Sequence, residues 1–180
     1  MATQLHVPLD KDQLSPLRAG DSVEISGVVY TARDAAHGKL FELLDAGEPL
    51  PIDLAGGVIY YCGPAPTPPG SALGSAGPTT SYRMDSFAPR LYELGLGATI
   101  GKGDRGIGVR EACRQFCCVY LVAVGGAGAL LSERVVAAEV VAYPELGPEA
   151  IRRLEVERLP AIVAYDTVGN SVFPHDDPLQ

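Results

Sequence analysis

The sequence predicts an α/β fold on three observations. Apolar runs of strand length recur along the chain, separated by glycine, proline and cap residues. Twice such a run passes through a short turn into a stretch with helical spacing, at residues 23–30 and again at 119–124. With 180 residues, 47% of them hydrophobic, the chain is long enough for a domain that buries roughly 70% of its unfolded surface.

Val23, Ile25 and residues 28–30 form the first expected strand. Asp34 is then the expected cap of a helix whose apolar face carries Ala36, Leu40, Leu43 and Leu44, which places Arg33 and His37 at a strand-to-helix junction. Residues 58–62 read as a short buried strand. The segment 63–70 that follows holds four prolines, which neither a helix nor a central strand accepts, so it is expected to be a rigid surface loop. Composition does not change across that loop, and the chain reads as a single domain, 1–180, with a flexible tail from about residue 174.

Thr80 or Ser81 is expected to cap a short helix with Arg83 in its first turn, and Pro89 to kink or restart it before residues 91–94. Residues 98–100 are the next strand, after which the glycines of Gly101-Lys102-Gly103 let Lys102 leave the strand end without crowding the backbone. A helix at 107–116, a strand at 119–124 and a glycine-rich turn into 127–131 repeat the strand-turn-helix rhythm. Residues 135–143 and 161–166 are further strands, and Gly169-Asn170 is a turn before 171–173.

A formal net charge of −8 and a pI near 4.8 argue against nucleic acid or an anionic membrane surface as partner, since both attract positive fields. The longest apolar stretch, 119–131, is interrupted by glycines and falls short of the roughly 20 residues of a membrane-spanning helix. Asp10, Lys11 and Asp12 stand where a signal peptide would have its apolar region, so a cytoplasmic location is expected.

Two segments place polar residues beside candidate anion-binding backbone: Thr31-Ala32-Arg33-Asp34-Ala35-Ala36-His37 and Gly77-Pro78-Thr79-Thr80-Ser81-Tyr82-Arg83-Met84-Asp85. Arg33, Arg83 and Lys102 are the candidate cations, because a guanidinium grips a carboxylate with two donors while an ammonium serves as a point charge. Thr79 and Thr80 are hydroxyl donors or, beside cations, a proton acceptor; equally they suit helix caps. His37 suits general acid/base work, orientation of Arg33, or packing.

Cys113, Cys117 and Cys118, with Cys62, raise an iron-sulfur reading, but their helical spacing differs from the loop motifs that hold clusters, and they read as small core side chains. The run Gly125-Gly126-Ala127-Gly128-Ala129-Leu130-Leu131 follows a strand like a dinucleotide fingerprint. With Gly126 and Gly128 as its first two glycines, Leu131 occupies the third glycine position, so close helix-strand packing explains the run better than a cofactor.

Beyond these segments, the motifs Tyr60-Tyr61-Cys62-Gly63-Pro64, Ile100-Gly101-Lys102-Gly103 and Leu159-Pro160-Ala161-Ile162-Val163 complete a pattern. From about Leu5 to Phe173 the chain resembles the β subunit, equivalent to the C-terminal domain, of class I fumarases and L-tartrate dehydratases. The resemblance implies a swivelling three-layer β/β/α domain and a hydro-lyase acting on small dicarboxylates. It implies substrate carboxylates bound by Arg33, Arg83 and Lys102 with help from Thr80, and Thr79 and His37 as catalytic residues, with Thr79 taking the C3 proton. It further implies a [4Fe-4S] cluster on a partner α subunit, no metal on this chain, and an α2β2 or other hetero-oligomer.

Gly38 departs from the family, which usually has a basic residue there, and Cys117-Cys118 replace small residues. The Tyr30-Thr31-Ala32 context before Arg33 favours fumarate over tartrate as substrate. Tartrate or mesaconate chemistry is the alternative, and a non-catalytic anion-binding module a more distant one.

Overall fold

The structure, a computed structural model, describes residues 1–123 and 128–174. Its strands are β1 (Thr3–His6), β2 (Ser22–Thr31), β3 (Val58–Tyr60), β4 (Ala98–Gly101), β5 (Val119–Ala123), β6 (Val135–Ala142) and β7 (Ile151–Tyr165). They form one sheet in the order β1-β2-β3-β4-β5-β7-β6. Helices α1 (Lys11–Leu14), α2 (Asp34–Ala46), α3 (Ala88–Glu93), α4 (Ile107–Phe116) and α5 (Gly128–Ser132) lie in the connections.

Strands β2, β3, β4 and β5 are parallel neighbours, as strands joined through helical crossovers must be. Strand β7 runs antiparallel to both β5 and β2, so the pairings β2-β3-β4-β5-β7 return to their start and close a ring. Alternation along each strand then divides the core in two. Val23, Ile25, Val58, Ile100, Leu121 and Val163 fill the inside of the ring. Ile59, Tyr120 and Tyr165 face outward onto Ala36 and Leu40 of α2, Leu91 of α3 and Val109 of α4. A fully buried Ile or Leu contributes roughly 1.5–3 kcal/mol, and the two clusters together make the domain.

The sheet also explains where the sequence misled. Strand β7 begins at Ile151, ten residues before the expected start at 161, because Arg152, Arg153, Glu155, Glu157 and Arg158 mask it. Their apolar neighbours Leu154, Val156 and Leu159 alternate into the ring interior and carry the strand. Arg158 has a positive φ of 52°, Gly27 on β2 has one of 116°, and the β2–β7 register shifts between Ile25 and Gly27. Both long strands therefore bend at this level.

Asp34 is the first residue of α2 rather than its cap, and Arg33 takes the cap position without a side-chain cap bond. Thr80 likewise makes no cap bond to the single 3₁₀ turn Ser81–Met84 that follows it. Pro89 lies in the first turn of α3, where its missing N–H costs nothing, and restarts the helix as expected. Strand β1 and helix α1 have no counterpart among the expected elements. Of the glycine-rich run, residues 125–127 lie outside the described residues, as do Val124 and residues 175–180. Gly128 packs against loop rather than strand, since a Cβ there would meet Ser75 Oγ at 2.7 Å and Gly77 N at 2.9 Å. No described helix is long and apolar enough to cross a membrane.

Candidate active site

Parallel pairing brings the C-terminal ends of β2, β3 and β4 to one edge of the sheet, with Thr31 opposite Tyr60 and Tyr60 opposite Ile100. Each end runs straight into a segment singled out by its sequence. Strand β2 leads to Arg33, β3 to Tyr61-Cys62-Gly63 and β4 to Lys102.

The threonine-pair segment is laid along these ends. Thr79 N donates to Tyr61 O at 2.6 Å, and Thr80 pairs with Lys102 as a parallel bridge. Ser81 N donates to Lys102 O at 3.0 Å, and Lys102 N donates back to Ser81 Oγ, also at 3.0 Å. Thr79, Thr80 and Lys102 are thus fixed through backbone bonds, leaving their side chains for other partners. Gly101 permits the approach, because a Cβ there would fall 1.8 Å from Ser81 Oγ.

The arginines join the same edge through a carboxylate. Asp34 Oδ1 lies 4.0 Å from Arg33 Nε, and Asp34 Oδ2 lies 3.6 Å from Arg83 Nη1. Glu149 approaches Arg33 from the other side, with 3.6 Å between its Oε1 and Nε. Gly63 gives Arg33 its room, since a Cβ there would meet Nη1 at 3.3 Å. Arg33 Nε, Asp34 Oδ1 and Glu149 Oε1 are buried and make no hydrogen bond among the described residues. Three cations against two carboxylates leave one positive charge in surplus, a local reversal of a chain whose net charge is −8. Arg83 and Lys102 are exposed and Thr79 and Thr80 half-buried, so the edge is open surface. The cleft of about 260 Å³ lined by Val7, Tyr30, Asp53 and Arg153 includes none of these residues.

His37 is placed differently. Its side chain is fully buried, edge-on to the Tyr61 ring and against Phe87. Its Nδ1 is 2.8 Å from Arg33 O. A carbonyl only accepts, so Nδ1 carries the proton and Nε2 is the bare nitrogen. Burial is the main cause that pushes its pKa down, to about 4, against the opposing bond to Arg33 O. His37 is therefore neutral near pH 7, with Nε2 buried and unpaired among the described residues. It lies under the Arg33 backbone, inside the edge on which the other five residues gather.

Four further residues build the site. Arg105 is 4% exposed and stacks over the rings of Tyr61 and Tyr120 at 5.1 and 4.9 Å. Its Nε donates to Asp85 Oδ1 at 2.5 Å. The Tyr120 hydroxyl donates to Gly103 O, 2.8 Å away, and lies 2.9 Å from Ser81 Oγ. Their sequence signal was faint: an arginine three positions after Lys102 reads as one more surface charge.

The cysteines stand apart. Cys62, Cys113 and Cys118 are buried and all four thiols are free. Burial pushes the Cys62 thiol up to about 12, the opposite of what a thiolate ligand needs. Among the described residues no group of three or more His, Cys, Asp or Glu side chains is arranged to hold a metal ion, so the donors present do not suit an iron-sulfur cluster.

Comparison with known proteins agrees with the motifs. The family model described as Fumarase C-terminus matches residues 1–176. Fumarate hydratase 2 of Leishmania major is 42% identical over 171 residues, covering 92% of this chain and 30% of that protein. The anaerobic class I fumarate hydratase of Escherichia coli K12 is 44% identical over 164 residues, again covering 30% of its length. The chain therefore spans less than a third of the fumarate hydratases it matches. By contrast, it covers 88% of the putative L(+)-tartrate dehydratase subunit beta of Methanocaldococcus jannaschii, at 39% identity. Matched along nearly its whole length, the chain belongs to the fumarase C-terminus family.

Proposed function

We propose that this chain is the β subunit of a heteromeric, iron-sulfur-dependent hydro-lyase, most simply a fumarate hydratase that interconverts fumarate and L-malate. The observation that carries the proposal is the single edge on which Arg33, Arg83, Lys102, Thr79 and Thr80 meet. Arg33 and Lys102 follow the ends of two different strands and Arg83 lies in the 3₁₀ turn laid across them, a spacing that suits a ligand with a carboxylate at each end.

In this scheme Arg33 and Arg83 grip the carboxylates, and the Lys102 ammonium adds a point charge beside the Thr80 hydroxyl. The neighbouring cations lower the cost of charge on the Thr79 oxygen, so Thr79 delivers the proton to C3 during hydration and removes it during dehydration. His37, neutral and buried, supports Arg33 from below through its Nδ1–H rather than exchanging protons with the substrate. The [4Fe-4S] cluster of the family is assigned to an α subunit, and activity requires both chains, located in the cytoplasm as an α2β2 or related assembly. The three-layer swivelling architecture accords with the ring of strands and its outer helices, and residues 1–180 form one such domain.

A second reading, an L-tartrate dehydratase β subunit, is favoured by one observation: among the relatives compared, the separate-subunit tartrate dehydratase is matched over most of its length. Both readings are tested by co-expressing the chain with its cognate α subunit under anaerobic conditions and measuring turnover of fumarate, L-malate, L-tartrate and mesaconate. Turnover should fall about a hundredfold in Arg83→Ala, equivalent to about 3 kcal/mol of transition-state binding. A cluster-loaded complex inactive on all four substrates would overturn the enzymatic proposal. Turnover indifferent to the substitution would displace the site.

A further inference from the structure

We propose that Arg105 is the positioning residue that holds Lys102 in register with Thr80, so that a buried guanidinium, itself out of reach of substrate, sets the geometry of the exposed cation. The inference rests on the reading of Thr79, Thr80 and Lys102 as part of a dicarboxylate site.

Arg105 touches every segment that must stay aligned. Its Nε holds Asp85, the residue that ends the threonine-pair segment, while Asp85 Oδ2 accepts from Gly106 N at 2.7 Å at the mouth of α4. The threonine segment is thereby tied to the loop that carries Lys102. The guanidinium carbon is 5.1 Å from the centre of the ring of Tyr61, whose carbonyl fixes Thr79 N, and Nη2 is 3.3 Å from the Tyr61 hydroxyl. The Tyr120 ring is also stacked on the guanidinium, and its hydroxyl reaches Ser81 and the Gly103 carbonyl, the two neighbours of the Thr80–Lys102 bridge. Nη1 approaches Thr99 Oγ1 on β4 at 3.4 Å. From the other side the Arg105 backbone N–H is held by Asp104 Oδ1 at 2.8 Å and lies 2.9 Å from the Tyr165 hydroxyl.

This arrangement asks for a planar fork. A lysine keeps the charge but offers a compact head that cannot stay between two rings while donating in separate directions to Asp85, Thr99 and Tyr61. Charge alone therefore does not replace Arg105. The pairing with Asp85 also compensates a charge that would otherwise be costly to bury.

The test uses the complex with its α subunit, prepared as wild type, Arg105→Lys, Asp85→Asn and Arg110→Lys. Arg110 is a second buried arginine, bonded to the Gly169 carbonyl rather than to the threonine-pair segment, and serves as the control for burial alone. Two readouts are taken: kcat and KM for the dicarboxylate, and hydrogen exchange at the Ser81 and Lys102 amides. Arg105→Lys should lower kcat/KM at least thirtyfold and speed exchange at both amides at least tenfold. Asp85→Asn, a milder change at a half-buried partner, should shift both readouts in the same direction. Arg110→Lys should lower the melting temperature without moving either readout. Wild-type turnover and exchange in Arg105→Lys would overturn the inference. So would lost turnover with unchanged exchange, because the charge rather than the register would then be the cause. A wild-type complex that turns over no dicarboxylate would count against the proposed function alone, and the exchange measurement would still decide the role of Arg105.

Discussion

Replacing Gly101 by alanine is expected to damage the site and the fold together. The new methyl would sit 1.8 Å from Ser81 Oγ, far inside contact distance, with Tyr61 Cδ2 at 2.9 Å and Ser81 Cβ at 3.1 Å also too close. Ser81 must rotate or its segment must lift. Either response breaks the bonds its hydroxyl makes with Lys102 N at 3.0 Å and with the Tyr120 hydroxyl at 2.9 Å. One buried and one part-buried hydrogen bond at about 1 kcal/mol each, with about 1–3 kcal/mol for overpacking, give a loss of about 3–5 kcal/mol. That is a large share of the roughly 5–15 kcal/mol by which a domain is stable. Urea unfolding followed by circular dichroism measures it, with Ser81→Ala and the double variant completing a cycle. In the Ser81→Ala background the glycine substitution should cost less by about 1.5 kcal/mol or more, because the nearest atom is gone. A single-variant loss below about 1 kcal/mol, or strict additivity, would refute the packing argument.

The buried histidine and the cysteines give two further expectations. His37 titrates at about 4 in the folded chain and near 6.5 when unfolded, so the unfolded state binds the extra proton first as pH falls. Its contribution is complete above about pH 6.5 and is lost progressively down to about pH 4, by roughly 3 kcal/mol in all. A His37→Phe variant should lack that component in urea midpoints measured across the window, and an identical pH profile would contradict the assignment. Alkylation by iodoacetamide at pH 8 should label Cys117, the half-buried thiol, well before Cys62, whose buried thiol stays protonated. Mass spectrometry of the native chain reads the order, and early labelling of Cys62 would be inconsistent with its environment.

The candidate residues could be read from the sequence because they carry chemistry that loops do not need. Lys102 stands between two glycines and Thr79, Thr80 and Arg83 follow Gly77-Pro78 in one polar segment, and the structure brings them with Arg33 to one edge. What stayed illegible was the support. Arg105 looks like a surface charge until the rings of Tyr61 and Tyr120 and the Asp85 carboxylate enclose the guanidinium. Strand β7 was hidden for a related reason, since charged residues fill its outward positions while a local apolar count sees only their average. Asp34 was expected to cap its helix, yet its carboxylate faces two arginines, one of them fifty residues away in sequence. Local propensity cannot register such a partner.

The parallel pairing of β2, β3 and β4 also governs when the site comes into being. Arg33 follows β2, Arg83 lies within the long connection from β3 to β4, and Lys102 follows β4, so long parallel connections bring the cations together and no local hairpin contains two of them. The entropy of closing those long loops must be met before the cations share an edge, which places site formation late on the folding path. Anion affinity should then be absent from partly folded chains and appear only with the completed sheet. A ligand that binds there would act as a sensor of full folding, drawing the population toward the native state by mass action.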